Sequence, residues 1–426
     1  MRHILVITIL LAASCGNAFA LGGGGFRNEV VDAEAAGKGY SFVAQADNPS
    51  AVHYNPAGMI QLEGQQVSLG YTAEGPRNEC DTSQTGDTVQ MEKDTFSVPN
   101  FFFVTELPWE NFRFGLGATS PYGLSTDWAD DSFSRNVSTE SNLKMFNINP
   151  SIAYKVNDYL SMGVGVDYFI AEISKHKRIT PGLGGGDFHM AVKDEGWGYN
   201  IGLLIKPFEG HRIGISYRSE IDLEYEGTAN LDNLATAPIN YAAIFGGANY
   251  STALKSDGTI PRSVAVGYAY QPNDRLTIEA DIEWTDWACV EQEFLSFPDE
   301  GAPLRLAVLN DGNPVSRDWN DVFAYGIGLD YKWTEATNLR CGFFYVEKTI
   351  PSANLDTALP DSNKHGVTLG LGHQFLKDVK IDMAYTFIKL RDRDITNDVG
   401  LNTGSNIDGT YKGHLNIVAV EFTYKY

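Results

Sequence analysis

Apolar and polar residues alternate one by one along most of the chain. In "LSMGVGVDYFI", Leu160, Met162, Val164, Val166, Tyr168 and Ile170 share one face, while Ser161, Gly163, Gly165 and Asp167 share the other. "LTIEADIEW" (276–284), "FAYGIGLDY" (323–331) and "VTLGLGHQF" (367–375) repeat the pattern. Successive side chains of a strand point to opposite faces, so a period of two predicts strands with one apolar and one polar side. A soluble sandwich would alternate in the same way, but three features turn the apolar face towards lipid. The runs extend over roughly 10 to 14 residues, enough for a tilted membrane-spanning strand and longer than the usual 5 or 6. Aromatic residues gather near strand ends, at Tyr268 and Tyr270, Trp284 and Trp287, Tyr331 and Trp333, as in interfacial girdles. The chain also ends on such a strand, "IVAVEFTYKY", with Val418, Val420, Phe422, Tyr424 and Tyr426 on one face. That terminal aromatic resembles the signal read by the barrel assembly machinery of bacterial outer membranes.

Connections alternate in length. Short turns fall at Pro108, Val156, Phe208, Pro272, Thr334 and Leu376, and longer polar loops cover roughly 76–93, 125–140, 178–192, 226–259, 295–317, 348–363 and 392–410. Short turns on one side and long loops on the other predict an all-β fold, a transmembrane antiparallel barrel of about fourteen strands over residues 64–426. Residues 21–63 carry no strand pattern. Asn48-Pro49 and Asn55-Pro56 read there as two short helix starts, because Asn caps well and Pro suits the first helical position. So short a segment cannot support its own core, and it is expected to fold as a helical hatch inside the polar bore.

The formal net charge of −22 argues against a nucleic-acid partner. Acidic loops such as "DWADD" and "RDRDITND" read as solvated surface, bridged to lipopolysaccharide by divalent cations. "MRH", the apolar run Ile4–Ala13 and "AFA" at 18–20 form a secretory signal peptide over 1–20, cleaved near Ala20. A lipoprotein signal at Cys15 fits less well. Cys80, Cys289 and Cys341 remain, spaced for neither a zinc site nor a disulfide framework; one bond and one free thiol is an open arrangement. His373 and His414 are isolated, and no Gly-x-Ser-x-Gly or metal-spaced set occurs, so no enzyme activity, cofactor or metal is expected.

The stretch "GFRNEVVDAEAAGKGYSFVAQADNPSAVHYNPAGM" resembles the hatch of the FadL-type long-chain fatty acid transporters. The matching residues are Gly25-Phe26, Gly37-Lys38-Gly39-Tyr40 and Asn55-Pro56-Ala57. "PNFFFV" (99–104), "GLGATSPYGLSTDW" (115–128) and "YRSEIDLEYEG" (217–227) resemble further parts of that barrel. The resemblance implies a bacterial outer-membrane protein, expected to be a monomer, that takes up hydrophobic compounds passively. Its ligand is captured among the outer loops, passes a pocket beside the hatch, and leaves sideways into the bilayer where the third strand is kinked. Lateral exit spares an apolar solute a return to water. By the same resemblance Phe26 touches the ligand, Gly25, Asn55, Pro56 and Ala57 shape the hatch, and Pro121, Tyr122 and Gly123 form the kink. Pro cannot donate to a ladder, which suits that assignment. A carboxylate ligand needs a cation in its pocket, and Lys175, Lys177 and Arg178 are the candidates. No second lysine follows "WTDWACVEQEF", so fatty acid, alkane and aromatic hydrocarbon stay open. A general diffusion porin and, more remotely, an outer-membrane lipid hydrolase are the alternatives.

Overall fold

The computed structural model describes residues 25–426 apart from 29, 180–184 and 237–238. The signal peptide and its cleavage site lie outside the described residues. Fourteen antiparallel strands follow one another around a closed barrel. They are β1 (Gln65–Thr82), β2 (Phe96–Glu106), β3 (Phe112–Asp127), β4 (Glu140–Lys155), β5 (Leu160–Arg178) and β6 (Asp187–Ile205). Then come β7 (His211–Arg218 continued by Ile221–Asp232), β8 (Tyr250–Ile260 continued by Ser263–Asn273), β9 (Leu276–Thr285) and β10 (Val322–Thr334). The last four are β11 (Thr337–Val346), β12 (Lys364–Leu376), β13 (Val379–Leu390) and β14 (Gly409–Lys425). Closure comes from β1 against β14, in register from Gln66↔Lys425 to Thr82↔Gly409.

The alternation sorts as the physics of a bilayer requires. Leu69, Val164, Val166, Tyr268, Val367 and Phe422 are exposed on the outer face, while Ser68, Thr72, Asp167, Asp281, Asp382 and Glu421 are buried on the inner one. Among the described residues no helix is long and apolar enough to cross a membrane; strands in a closed ladder do so with every backbone group paired. The six tight connections lie at 107–111, 156–159, 206–210, 274–275, 335–336 and 377–378, where the sequence places them.

Two expectations about the wall are corrected. The loop expected over 226–259 is half strand, at 226–232 and 250–259, paired from Tyr250↔Leu231 to Ile260↔Ile221. Its outer face carries Glu224, Glu226 and Lys255, the last two ion-paired, so the wall there continues with polar residues outside, and the lipid signature is missing. Trp287 is not a girdle residue: the chain leaves β9 in a tight turn (Trp287–Cys289) that folds inward and buries the indole completely. Cys80, Cys289 and Cys341 are all free thiols.

The described residues of 25–63 contact inward-facing positions on strands from β3 (Gly115) to β14 (Glu421). Asn55 caps a 3-10 helix, Pro56–Gln61, its side chain accepting the Ala57 N–H (3.2 Å) and donating to the carbonyls of Val43 (2.8 Å) and Leu203 (3.0 Å). The earlier Asn48 does not start a helix directly. It accepts the Ser50 N–H (2.8 Å) in an Asx turn, and the helical turn Ala51–Tyr54 begins after it. The short helix Ala33–Ala36 is capped by Asp32. Glycines on the inward face of the strands make room for all this. A β-carbon would lie 2.4 Å from Pro56 at Gly163, 2.1 Å from the Val43 carbonyl oxygen at Gly214, and 2.3 Å from the Gly39 nitrogen at Gly342. Gly163, Gly214 and Gly342 are therefore contact sites for backbone.

Wall carboxylates complete the fit. Asp281 accepts the N–H groups of Phe42 (2.8 Å) and Val43 (3.0 Å), and Glu279 those of Ala44 (2.7 Å) and Gln45 (3.0 Å). Arg340, fully buried, bonds Asp330 (2.7 Å), Asp382 (2.6 Å) and Glu34 (3.1 Å), and Lys380 reaches Glu34 as well (2.6 Å). Such charges are tolerable in a protein interior only because each has its partners.

Candidate functional site

The wall is interrupted between β2 and β3. Their pairing runs from Glu106↔Arg113 only as far as Phe101↔Ala118. Beyond it β2 keeps its other neighbour, β1, to Phe96, and β3 stays with β4, with a register shift between Thr119 and Tyr122. Each lip carries a proline, Pro99 on β2 and Pro121 on β3, a residue with no N–H to give a ladder. From Thr119 to Thr126 the inside-outside alternation disappears and all eight residues are buried. The upper part of β3 has turned into the bore. There the Trp128 indole N–H donates to the Thr357 carbonyl (3.0 Å) and the Thr126 hydroxyl to that of Ala358 (3.2 Å).

The amino-terminal residues take up the freed edge. The Asn28 N–H donates to the Pro121 carbonyl and the Gly123 N–H to the Phe26 carbonyl, both at 2.9 Å, so Arg27 and Tyr122 form an isolated antiparallel bridge. Arg27 is ion-paired with Glu283 of β9. Phe26 stands in an aromatic cage. Its ring centroid is 4.7 Å from Trp287, 5.8 Å from Tyr122 and 6.0 Å from Trp319, the first two edge-on, an arrangement aromatic quadrupoles favour. Gly25 has φ of 64°, and a β-carbon there would meet the Trp287 ring at 2.6 Å.

Phe26 also closes one side of a cavity of about 210 Å³. Leu124, Leu143, Met145, Ile173, Met190, Tyr225, Val290, Trp319 and Leu359 make it apolar, and Cys289 adds a thiol whose pKa burial pushes up to about 12. One pole is charged. Lys175 is ion-paired with Glu293, Arg317 bonds Glu293 (2.5 Å) and Asp356 (2.6 Å), and all four line the cavity. Burial alone would raise the Glu293 carboxyl, but Lys175 and Arg317 hold it well below the usual carboxylate range.

The structure thus brings Phe26 and Lys175 to one cavity, with Tyr122 behind Phe26. Lys177 and Arg178 are not in its lining. The Lys177 ammonium lies over the Phe188 ring at 5.7 Å, and Arg178 pairs with Asp187 at 2.5 Å. Asn55, Pro56 and Ala57 contact the wall at Gly163 and Gly202, away from the cavity lining. Sequence reasoning missed Trp287, Trp319, Glu293 and Arg317. All four belong to the 286–321 connection, whose path across the bore has no periodicity to read.

A family model for outer membrane protein transport proteins (OMPP1/FadL/TodX) matches residues 13–426. The long-chain fatty acid transport protein of Salmonella typhi is 26% identical over 395 residues, covering 85% of this chain and 87% of its own. Among solved structures, a FadL homologue from Pseudomonas aeruginosa aligns over 94% of this chain and 99% of its own, with a TM-score of 0.82 at 20% identity. The toluene transporter TbuX of Ralstonia pickettii aligns over 93% and 99%, with a TM-score of 0.69, also at 20% identity. At these identities the two structures establish the fold.

Proposed function

This chain belongs to the OMPP1/FadL/TodX family of outer membrane transport proteins, and on that premise we propose that it carries hydrophobic molecules from the outer loops to the bilayer through the β2–β3 gap. The observation that carries the reading is the double role of Phe26: its ring closes the apolar cavity while its carbonyl holds the unpaired edge of β3 at Gly123. Ligand filling the cavity competes for the space of the Phe26 ring, and displacing that ring loosens the segment lying along the gap. Residues 25–63 act as the hatch that blocks straight passage, held to the wall by Asn55, Asp281, Glu279 and Arg340. Each methylene taken from water is worth about 0.8 kcal/mol, so an apolar chain gains by entering, and lateral exit keeps that gain.

Cells producing the Pro121→Ala, Gly123→Val double variant test this route. Restoring a ladder-competent, bulkier edge lowers uptake of a labelled hydrophobic solute while the folded barrel still forms; unchanged uptake refutes lateral exit. A diffusion porin, by contrast, gives steady ion conductance in planar bilayers, and the proposed hatch keeps the wild-type protein nearly silent there.

A further inference from the structure

The charged pole of the cavity is already complete. Lys175 and Arg317 are its only cationic lining residues among those described, and they are ion-paired with two carboxylates that also line it, Glu293 and Asp356. Glu293 accepts from both cations, and Arg317 divides its donors between Glu293 and Asp356. The neighbouring Lys177 and Arg178 are turned to Phe188 and Asp187. A carboxylate entering this cavity must either evict Glu293, leaving that acid without its donors, or remain unpaired beside the carboxylates of Glu293 and Asp356. Both are costly in a water-poor site. An uncharged molecule incurs neither penalty and still buries its apolar surface.

We infer that Glu293 is a built-in carboxylate that sets ligand class: it occupies the cationic pair and reserves the cavity for uncharged hydrophobic molecules, excluding long-chain carboxylates. The inference rests on the cavity being the ligand site, as proposed above. It assigns a specificity role to a residue of the 286–321 connection rather than to a barrel strand.

The test uses the full mature chain in detergent at neutral pH, with dodecan-1-ol and dodecanoate as probes read by native mass spectrometry and by displacement of a fluorescent apolar dye. The two share a chain length and differ at the head group. Wild-type protein binds the alcohol about tenfold or more tightly than the acid, the scale of a single charge-assisted hydrogen bond. Glu293→Gln raises dodecanoate affinity by about the same factor and leaves the alcohol within about twofold. Equal wild-type affinities overturn the inference, as does a folded Glu293→Gln barrel with unchanged preference. Should that variant fail to fold, the wild-type comparison decides alone. Binding of neither probe removes the cavity reading itself, an outcome distinct from binding without discrimination.

Discussion

Gly214→Ala is the sharpest probe of how the amino-terminal segment is seated. The added methyl would lie 2.1 Å from the Val43 carbonyl oxygen, 2.5 Å from its carbon and 2.8 Å from Ala44 Cα, all of them backbone atoms. Reaching an ordinary separation of 3.4 Å moves the segment by about 1.3 Å, since no flexible side chain is there to give way. That shift is enough to break the hydrogen bonds from Phe42, Val43, Ala44 and Gln45 to Asp281 and Glu279, which now span 2.7–3.0 Å. Overpacking costs about 1–3 kcal/mol, and each buried N–H left without its acceptor a further 1–3 kcal/mol or so. With four N–H groups affected, a seating penalty of at least about 5 kcal/mol is therefore expected from one methyl. The barrel ladder is untouched, because Gly214 pairs with Leu204 and Gly267 through backbone alone. The matched control is Gly75→Ala, whose methyl would meet only the Asn416 oxygen at 3.8 Å. Trypsin cleavage after Lys38, normally buried, and single-channel conductance report the seating, and the heat-dependent gel shift reports the barrel. Gly214→Ala exposes Lys38 and opens conductance while Gly75→Ala does neither. Equal protection of Lys38 in both variants would refute the argument that inward glycines cradle the segment.

Further outcomes follow from other interactions. Phe26→Ala empties the cage of Tyr122, Trp287 and Trp319; it weakens seating of the first residues by about 3–5 kcal/mol and shifts tryptophan emission to the red. Arg340→Met takes the shared guanidinium from Asp330, Asp382 and Glu34 and destabilises by about 3–5 kcal/mol, seen as a lower temperature for loss of the folded gel band. Glu293 has its carboxyl depressed by Lys175 and Arg317, so its anchoring of the 286–321 connection is complete above the unfolded value near 4.3 and fades as pH falls below it. Emission of Trp287 and Trp319, both in that connection, is flat from about pH 8 to 5 and shifts below about 4; a shift centred near pH 6 would exclude Glu293 as the anchor.

The barrel was legible because lipid outside and polar content inside write a period of two into each strand, and the tight turns are short enough to show as punctuation. Legibility failed where that contrast fails. Around Glu224, Glu226 and Lys255 the outer face is polar, so the pairing from Tyr250 to Ile260 reads as loop. Trp287 and Trp284 look alike in sequence, yet one is buried in the bore and the other donates to Asp321 at 3.2 Å near the rim; the difference is a change of chain direction just after Thr285. Asn55-Pro56 was readable as a cap because the interaction is local, whereas Lys175–Glu293 joins residues 118 apart. Nothing in either neighbourhood announces the other.

The seam between β1 and β14 sets an order of events during biogenesis. Its two edges come from the first and the last strand of the chain, so the ring cannot shut until synthesis and export have delivered Lys425 to Gln66. Residues 25–63 precede both edges in the chain, and under the proposed hatch reading they end up encircled. Wrapping a wall around cargo already in place needs only lateral zipping, while inserting that cargo later would mean feeding folded turns through a finished ring. The protein is accordingly best made contents first and enclosure last.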